Sequence, residues 1–405
     1  MKNKQKPEIQ FEKNKENWKE IKAGSIFYSI SDKNHPNLPV LSASQEKGMV
    51  FRDQIGIDIQ YNIESTKTYK RVVPGQFVIH LRSFQGGFAF STIEGITSPA
   101  YTILDFKNKE EQDVLFWKNV LSSKTFIKKL ESVTYGIRDG RSISFNDFST
   151  LKFVVPNYEA QKRIGSFFKN LDDTIALHQQ ELDALKQTKQ GFLQKMFPKN
   201  GETEPVIRFK DFTKPWILKN FEMICESFEY GLNASAKEFD GTNQYLRITD
   251  IDDESRTFLK SHLTSPDCNL NSAEKYLLQD GDLLFARTGA SVGKTYLYRE
   301  KDGIVYYAGF LIRGKIKEIY DSEFVFQNTL TSNFKEFIKI SSQRSGQPGI
   351  NAQEIATYSF LVPGHEEQIK IGEFFIQLDE VIDLKEEELE ALKQTKKGFL
   401  QKMFV

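Results

Sequence analysis

LKQTKQGFLQKMF occupies residues 185–197, and LKQTKKGFLQKMF occupies residues 392–404. Twelve of the thirteen positions agree, at a separation of 207 residues. Working outward, FVVPNYEAQKRIGSFFKNLDDTIALHQQELDALKQTKQGFLQKMF (153–197) aligns without a gap to FLVPGHEEQIKIGEFFIQLDEVIDLKEEELEALKQTKKGFLQKMF (360–404), with 28 of 45 residues identical. One segment has been duplicated. Each copy opens as a short apolar strand ending in proline, Phe153-Val154-Val155-Pro156 and Phe360-Leu361-Val362-Pro363. Proline stops a strand, and the residues after it suit the start of a helix.

A seam with alternating steps of four and three then runs through each copy. The first passes through Ile164, Phe168, Leu171, Ile175, His178, Leu182, Leu185, Lys189, Phe192 and Met196. The second passes through Ile371, Phe375, Leu378, Ile382, Lys385, Leu389, Leu392, Lys396, Phe399 and Met403. This is the a/d pattern of a coiled coil, sustained beyond the usual length of a globular helix. Roughly 40 residues at 1.5 Å each give a helix of about 60 Å. Two such helices with matching seams are expected to pack on each other. The seams turn polar at equivalent places, His178 with Lys385 and Lys189 with Lys396. Such positions weaken packing but fix register.

The segments ahead of the strands also echo each other. IQFEKNKENWKEIKAGSIFYSI (9–30) answers IRFKDFTKPWILKNFEMICESF (207–228), with Trp18 and Trp216 in corresponding places. PKNGETEP (198–205) reads as a linker. The expected organisation is a globular head over 1–157, a helix and linker over 158–200, a second head over 201–364 and a second long helix over 365–405. The fold class is α+β, with two mixed heads, two long helices paired antiparallel and an internal pseudo-twofold repeat.

Composition sets bounds. A chain of 405 residues is long for one core, and 34 Phe supply the material for more than one. No apolar run is long enough to span a bilayer, and the start MKNKQKPEIQFEKNKENW lacks a signal-peptide core. Only Cys225 and Cys268 occur, and the five His form no HxxxH pair. That excludes a disulfide framework and the common zinc motifs, and it suits a reducing cytoplasm. The net charge of zero hides a division. Residues 1–157 carry 23 basic and 17 acidic side chains (+6), residues 201–364 carry 19 and 23 (−4), and residues 365–405 carry 6 and 10 (−4).

Within the heads, GQFVIHLRSF (75–84) and GDLLFARTG (281–289) read as apolar strands that end in Arg and a hydroxyl residue, then a glycine-rich turn. Further strands are expected at 100–106 and 309–316, and one helix in each head, near 110–131 and 322–340. Polar turns come next, TYGIRDGRSIS (134–144) and SSQRSGQPGIN (341–351). TGASVGKT (288–295) resembles a phosphate-binding P-loop. However, only three residues separate Gly289 from Gly293 where the motif needs four, and the next residues read as a strand rather than a helix. A strand-to-strand turn fits better. No methyltransferase Asn/Asp-Pro-Pro-aromatic motif, GxSxG or metal-ligand cluster is present, so the pattern points to binding rather than catalysis.

Unlike heads on near-identical long helices, with the VPxxxEQxxIxxFFxxLD style of helix entry and the LKQxKxGFLQKMF ending, resemble the specificity subunit of type I restriction–modification systems. The resemblance covers nearly the whole chain. It implies that each head is a target-recognition domain reading one half of a bipartite DNA site, and that the paired helices are the spacer. It also implies a non-catalytic chain that binds no cofactor of its own. Its partners would be double-stranded DNA, two modification subunits with S-adenosylmethionine, and two restriction subunits with ATP and magnesium, all in the cytoplasm and away from membranes. Phosphate and base contacts favour Lys, Arg, Asn, Gln and small polar residues at loop tips. The candidates are Lys70, Arg71, Arg82, Ser83, Gln85, Arg138 and Arg141 in the first head. In the second they are Arg287, Thr288, Ser291, Lys294, Gln343, Arg344 and Gln347. Two other readings remain: a protein-interaction scaffold, which the acidic second head favours, and the targeting half of another split nuclease or methyltransferase.

Overall fold

The two seams become uninterrupted helices, Tyr158–Lys195 and His365–Met403, of 38 and 39 residues. The structure is a computed structural model, and it describes residues 8–9, 18–44, 47–55, 63–134 and 143–404. By contact the chain divides into two compact units, Met1–Gln180 with Glu387–Val405, and Glu181–Glu386. Each unit therefore holds one head and part of both long helices.

Every seam position is buried or half-buried. In the first unit Phe167 packs edge-on against Phe399 at 5.1 Å. In the second, Phe192 does the same against Phe374 at 4.8 Å. Early turns of one helix thus lie against late turns of the other, and the pairing is antiparallel. The polar seam positions are all answered by acids across the seam. Lys396 reaches Asp172 at 2.5 Å and His178 lies 3.5 Å from Glu388 in the first unit. Lys189 reaches Asp379 at 2.5 Å and Lys385 reaches Glu181 at 3.2 Å in the second. The partners repeat with the same 207-residue offset as the seam itself. A lysine that is only 9% exposed, as Lys189 is, needs such a carboxylate to offset its lost hydration.

The first head contributes β1 (Lys19–Lys22), β2 (Phe27–Ile30), β3 (Phe77–Ile79), β4 (Ala89–Phe90), β5 (Thr102–Phe106) and β6 (Lys152–Val155). The second contributes β7 (Ile217–Asn220), β8 (Cys225–Tyr230), β9 (Leu283–Ala286), β10 (Thr295–Leu297), β11 (Leu311–Ile316) and β12 (Ser359–Val362). Both heads use one topology. An antiparallel pair, β1–β6 or β7–β12, leads into the long helix, beside a four-stranded antiparallel sheet ordered β2-β5-β3-β4 or β8-β11-β9-β10. The central strands β3 and β9 are buried along their whole length, as their apolar runs require. Aromatic side chains fill both cores: Phe27 lies 5.1 Å from Trp117 in one, and Phe221 lies 5.4 Å from Phe285 in the other. Such pairs add about 0.5–1.5 kcal/mol each beyond area burial.

The single helix expected in each head is two. The first head has α1 (Val114–Val120) and α2 (Lys124–Leu130), and the second has α3 (Ser322–Asn328) and α4 (Ser332–Ser341). Ser123 and Thr331 break the run by capping: each side chain accepts from the backbone N–H three residues on, at Phe126 and Phe334.

The junction between head and helix is built identically twice. Asp113 caps α1, and its backbone N–H donates to Gln161 at 3.1 Å, while Gln161 donates to the Pro156 carbonyl at 3.1 Å. Asp321 caps α3, its N–H donates to Gln368 at 3.0 Å, and Gln368 donates to the Pro363 carbonyl at 2.9 Å. Gly165 and Gly372 make room for the approach. A Cβ would fall 2.3 Å from Asp113 Oδ1 at one and 2.5 Å from Asp321 Oδ1 at the other. The doubled phrase closes each head from the opposite helix. Phe404 packs 5.7 Å from both Phe116 and Phe168, and Phe197 packs 5.4 Å from Phe324 and 6.1 Å from Phe375.

Candidate nucleic-acid interface

The turn after β3 is organised by Ser83, which the sequence reading assigned to DNA, together with His80, which it did not. Ser83 is fully buried, and its hydroxyl accepts from the His80 N–H at 2.8 Å. His80 Nδ1 in turn accepts from the Arg82 N–H at 3.3 Å. Burial first, and then the nearby Arg82 charge, push the His80 imidazole down to about 4, so it stands neutral near neutral pH. These contacts place Arg82 and Gln85 on the exposed tip of the turn. Ser83 holds the turn and is withdrawn from any ligand. Lys70 is turned inward, donating to the Tyr101 carbonyl at 2.6 Å. Arg71 is held by Glu94 at 2.7 Å and Asp32 at 3.4 Å. Arg138 and Arg141 lie outside the described residues.

In the second head, β9 leads through Arg287 and Thr288 into a short 3-10 turn, Gly289–Ser291, and then into β10. The P-loop resemblance ends there, because β10 pairs antiparallel with β9 and no helix follows the glycines. Lys294 is paired with Asp253 at 2.5 Å. Arg344 grips Glu354 at 2.5 and 2.7 Å and caps two carbonyls of its own loop, so it braces the loop. The loop carrying Gln347 docks on the Gly289 turn: Gly289 N–H donates to the Pro348 carbonyl at 2.9 Å, and Thr288 bridges to Gly349. Arg287, Thr288, Ser291 and Gln347 are brought together, with Gln343 exposed farther along the same loop.

Arg287 differs from its neighbours. Its side chain has no hydrogen bond or ion pair among the described residues, and its Nε is buried without a partner. Its guanidinium carbon lies 5.0 Å from the Tyr230 ring and 5.9 Å from the Phe310 ring. Both rings are well exposed, at 44% and 57%. The sequence reading missed these aromatics, which lie 57 and 23 residues away on β8 and just ahead of β11; only strand register reveals them.

Register also corrects the match between the heads. Phe77 pairs Phe90 and Leu104, as Leu283 pairs Leu297 and Gly314. Counting from these, Arg287 corresponds to Leu81, not to Arg82. The same registers set Tyr230 against Ser31 and Phe310 against Ala100.

Elsewhere in the second unit, a cavity of about 1070 Å³ lies among the loop around Arg256, Tyr296 and the two long helices. Among its lining charges Lys189 is paired with Asp379, Lys186 with Glu386 and Arg299 with Glu323, while Arg256 Nη1 is buried without a hydrogen-bond partner among the described residues. Burial pushes the Cys225 thiol up to about 12. Among the described residues no group of three or more His, Cys, Asp or Glu is arranged to hold a metal, and no helix is long and apolar enough to cross a membrane.

The family model for the type I restriction modification DNA specificity domain matches the chain twice, over residues 15–187 and 224–394. The chain belongs to this family. Among curated relatives, it is 23% identical over 328 residues to the type I restriction enzyme MjaVIII specificity subunit of Methanocaldococcus jannaschii, covering 78% of this chain and 74% of that protein. It is 25% identical over 273 residues to the EcoKI specificity subunit of Escherichia coli K12, covering 63% of this chain and 56% of that protein. The fold resembles the crystal structure of a type I restriction-modification S subunit from M. genitalium, with a TM-score of 0.61, 13% identity and 99% coverage of both chains. It also resembles a chain from a structural study of complex assembly in a type I system, with a TM-score of 0.56, 13% identity and coverage of 96% and 97%. Family membership gives the chain a role in DNA recognition within a restriction-modification complex, and specificity subunits are generally non-catalytic.

Proposed function

We propose that the chain reads a bipartite DNA sequence, one half with each head, and that its long helices act as the spacer and as the seat of two modification subunits. The carrying observation is one head topology presented twice with unlike tips on near-identical helices. A twofold-related pair of seats is the natural outcome of a duplicated helix, and a split site needs two readers. The duplicated phrase supports the seating. Gln187, Thr188, Gly191, Gln194 and Lys195 recur as Gln394, Thr395, Gly398, Gln401 and Lys402, each half-buried or exposed in both copies, and they fall on one face of each helix. The methyl transfer from S-adenosylmethionine, and the ATP- and magnesium-dependent steps, belong to modification and restriction subunits, two of each, in the cytoplasm. In this reading the chain itself binds no cofactor.

The test is to co-express the chain with its modification subunit and map methylated adenines across a genome. A split motif with a fixed gap is expected, and exchanging residues 201–364 for another head should change one half only. A stable complex that methylates no split motif would overturn the reading in favour of a scaffold. The acidic second head implies weak, salt-sensitive DNA binding by the chain alone. Tight binding by that head alone would contradict this.

A further inference from the structure

We propose that Arg287 reads a guanine in the half-site of the second head, with Tyr230 and Phe310 holding its guanidinium in reading position; this rests on the two-reader function above. Four other basic side chains of this head are committed to acids. Lys294 is bound to Asp253, Arg344 to Glu354, Arg299 to Glu323 and Arg247 to Asp250. Arg287 alone of these has aromatic neighbours and no acceptor. A planar guanidinium held by aromatic rings loses little further freedom when its N–H edge finds a partner. The acceptor pair that fits such a fork on a major-groove edge is guanine O6 and N7.

The mount is rigid. The Tyr230 hydroxyl accepts from the Ala352 N–H at 3.3 Å. Next to Tyr230, Glu229 is bound to Arg313, which also meets the buried Asp282 at 3.3 Å. The Arg287 backbone is tied on both sides, its N–H to the Phe310 carbonyl at 3.0 Å and its carbonyl to the Ile350 N–H at 2.9 Å. Gln347 lies so close over Gly289 that a Cβ there would meet its Nε2 at 2.6 Å, which leaves a polar side chain on the turn that follows Arg287 for a neighbouring base or phosphate. In the first head the corresponding residues are Ser31, Leu81 and Ala100, with Leu81 54% exposed. This reader therefore belongs to one half-site only.

The experiment maps adenine methylation by complexes containing the wild-type chain, Arg287→Lys, or Tyr230→Ala with Phe310→Ala. Arg287→Lys keeps the charge and removes the fork. The expected result is a roughly tenfold or greater loss of selectivity at one G·C pair in one half, with the other half and the gap unchanged. The double aromatic variant should relax the same position. Purified wild-type complex should bind a duplex carrying 7-deazaguanine there roughly tenfold more weakly, and Arg287→Lys should lose that discrimination. Unchanged selectivity in Arg287→Lys, or a uniform loss across all sites with no position relaxed, would overturn the proposal while the two-reader function stands. A wild-type chain that yields no split motif would remove both.

Discussion

At the scale of single residues, what decides a cation's role is what already holds it. Lys70, Arg71, Lys294 and Arg344 all look available in the sequence, yet each is spent inside its own head. Composition marks such residues as basic but says nothing of the acid or carbonyl brought to them by a distant strand. Arg82 remains exposed at its turn, and His80 shapes that turn. The imidazole, brought down to about 4 by burial and by Arg82, is neutral when folded and takes a proton more readily when unfolded. Its contribution to stability is therefore complete above the unfolded value near 6.5 and is lost as pH falls through about 4. From about pH 7 to about pH 5 the first head should lose roughly 2 kcal/mol through this group. His80→Asn keeps an acceptor for the Arg82 N–H and cannot titrate. Its denaturation midpoint, measured against pH, should fall less steeply than that of the wild type, and parallel curves would refute the assignment.

At the scale of elements, the long helices were legible because a 4-3 seam held over so many turns has no competing reading. The junctions were not. Gln161 with Gly165, and Gln368 with Gly372, look like ordinary helix-surface residues until the capped N-terminus of α1 or α3 is laid on them. In an exposed helix interior, Gly→Ala stabilises by about 1 kcal/mol. At Gly165 the methyl would strike Asp113 Oδ1 at 2.3 Å and the Phe116 N at 2.8 Å. Overpacking of this kind costs roughly 1–3 kcal/mol, so Gly165→Ala and Gly372→Ala should lower stability in chemical denaturation. Gly191 and Gly398 meet nothing within 4 Å, and alanine there should raise it by up to about 1 kcal/mol. The seam pairs give a third test. Lys189→Leu takes from Asp379 its ion-pair partner, and Lys396→Leu leaves Asp172 with Lys118 alone. Each should cost roughly 1–3 kcal/mol, between the exposed and buried limits for a broken ion pair, and restoring charge by a Lys/Asp exchange across the seam should recover most of it. Unchanged stability and register in the double leucine variant would show that these lysines do not align the helices.

At the scale of the whole molecule, the duplication was plain in the sequence, while the destination of the doubled phrase was not. Phe404 belongs to the core of the first head, and Phe197 to that of the second. The reason lies in the antiparallel pairing, which carries the end of each helix to the head that begins the other. The packing of Phe404 on Phe168 in the first unit has its duplicate in the second, where Phe197 packs on Phe375. The polar seam is duplicated too, so the first long helix carries both members of each pair: Asp172 with Lys189, and His178 with Glu181. Such a helix is complementary to a second copy of itself. A polypeptide comprising residues 1–200 should therefore form a twofold homodimer, in which Lys189 of one copy meets Asp172 of the other and Phe197 takes the place of Phe404. Sedimentation equilibrium should return twice the chain mass. Lys189→Asp would set like charges against each other across the seam and return the fragment toward monomer, and adding Asp172→Lys should restore the dimer. A wild-type fragment that stays monomeric while folded would mean that the two helices, for all their identity, have become specific for each other.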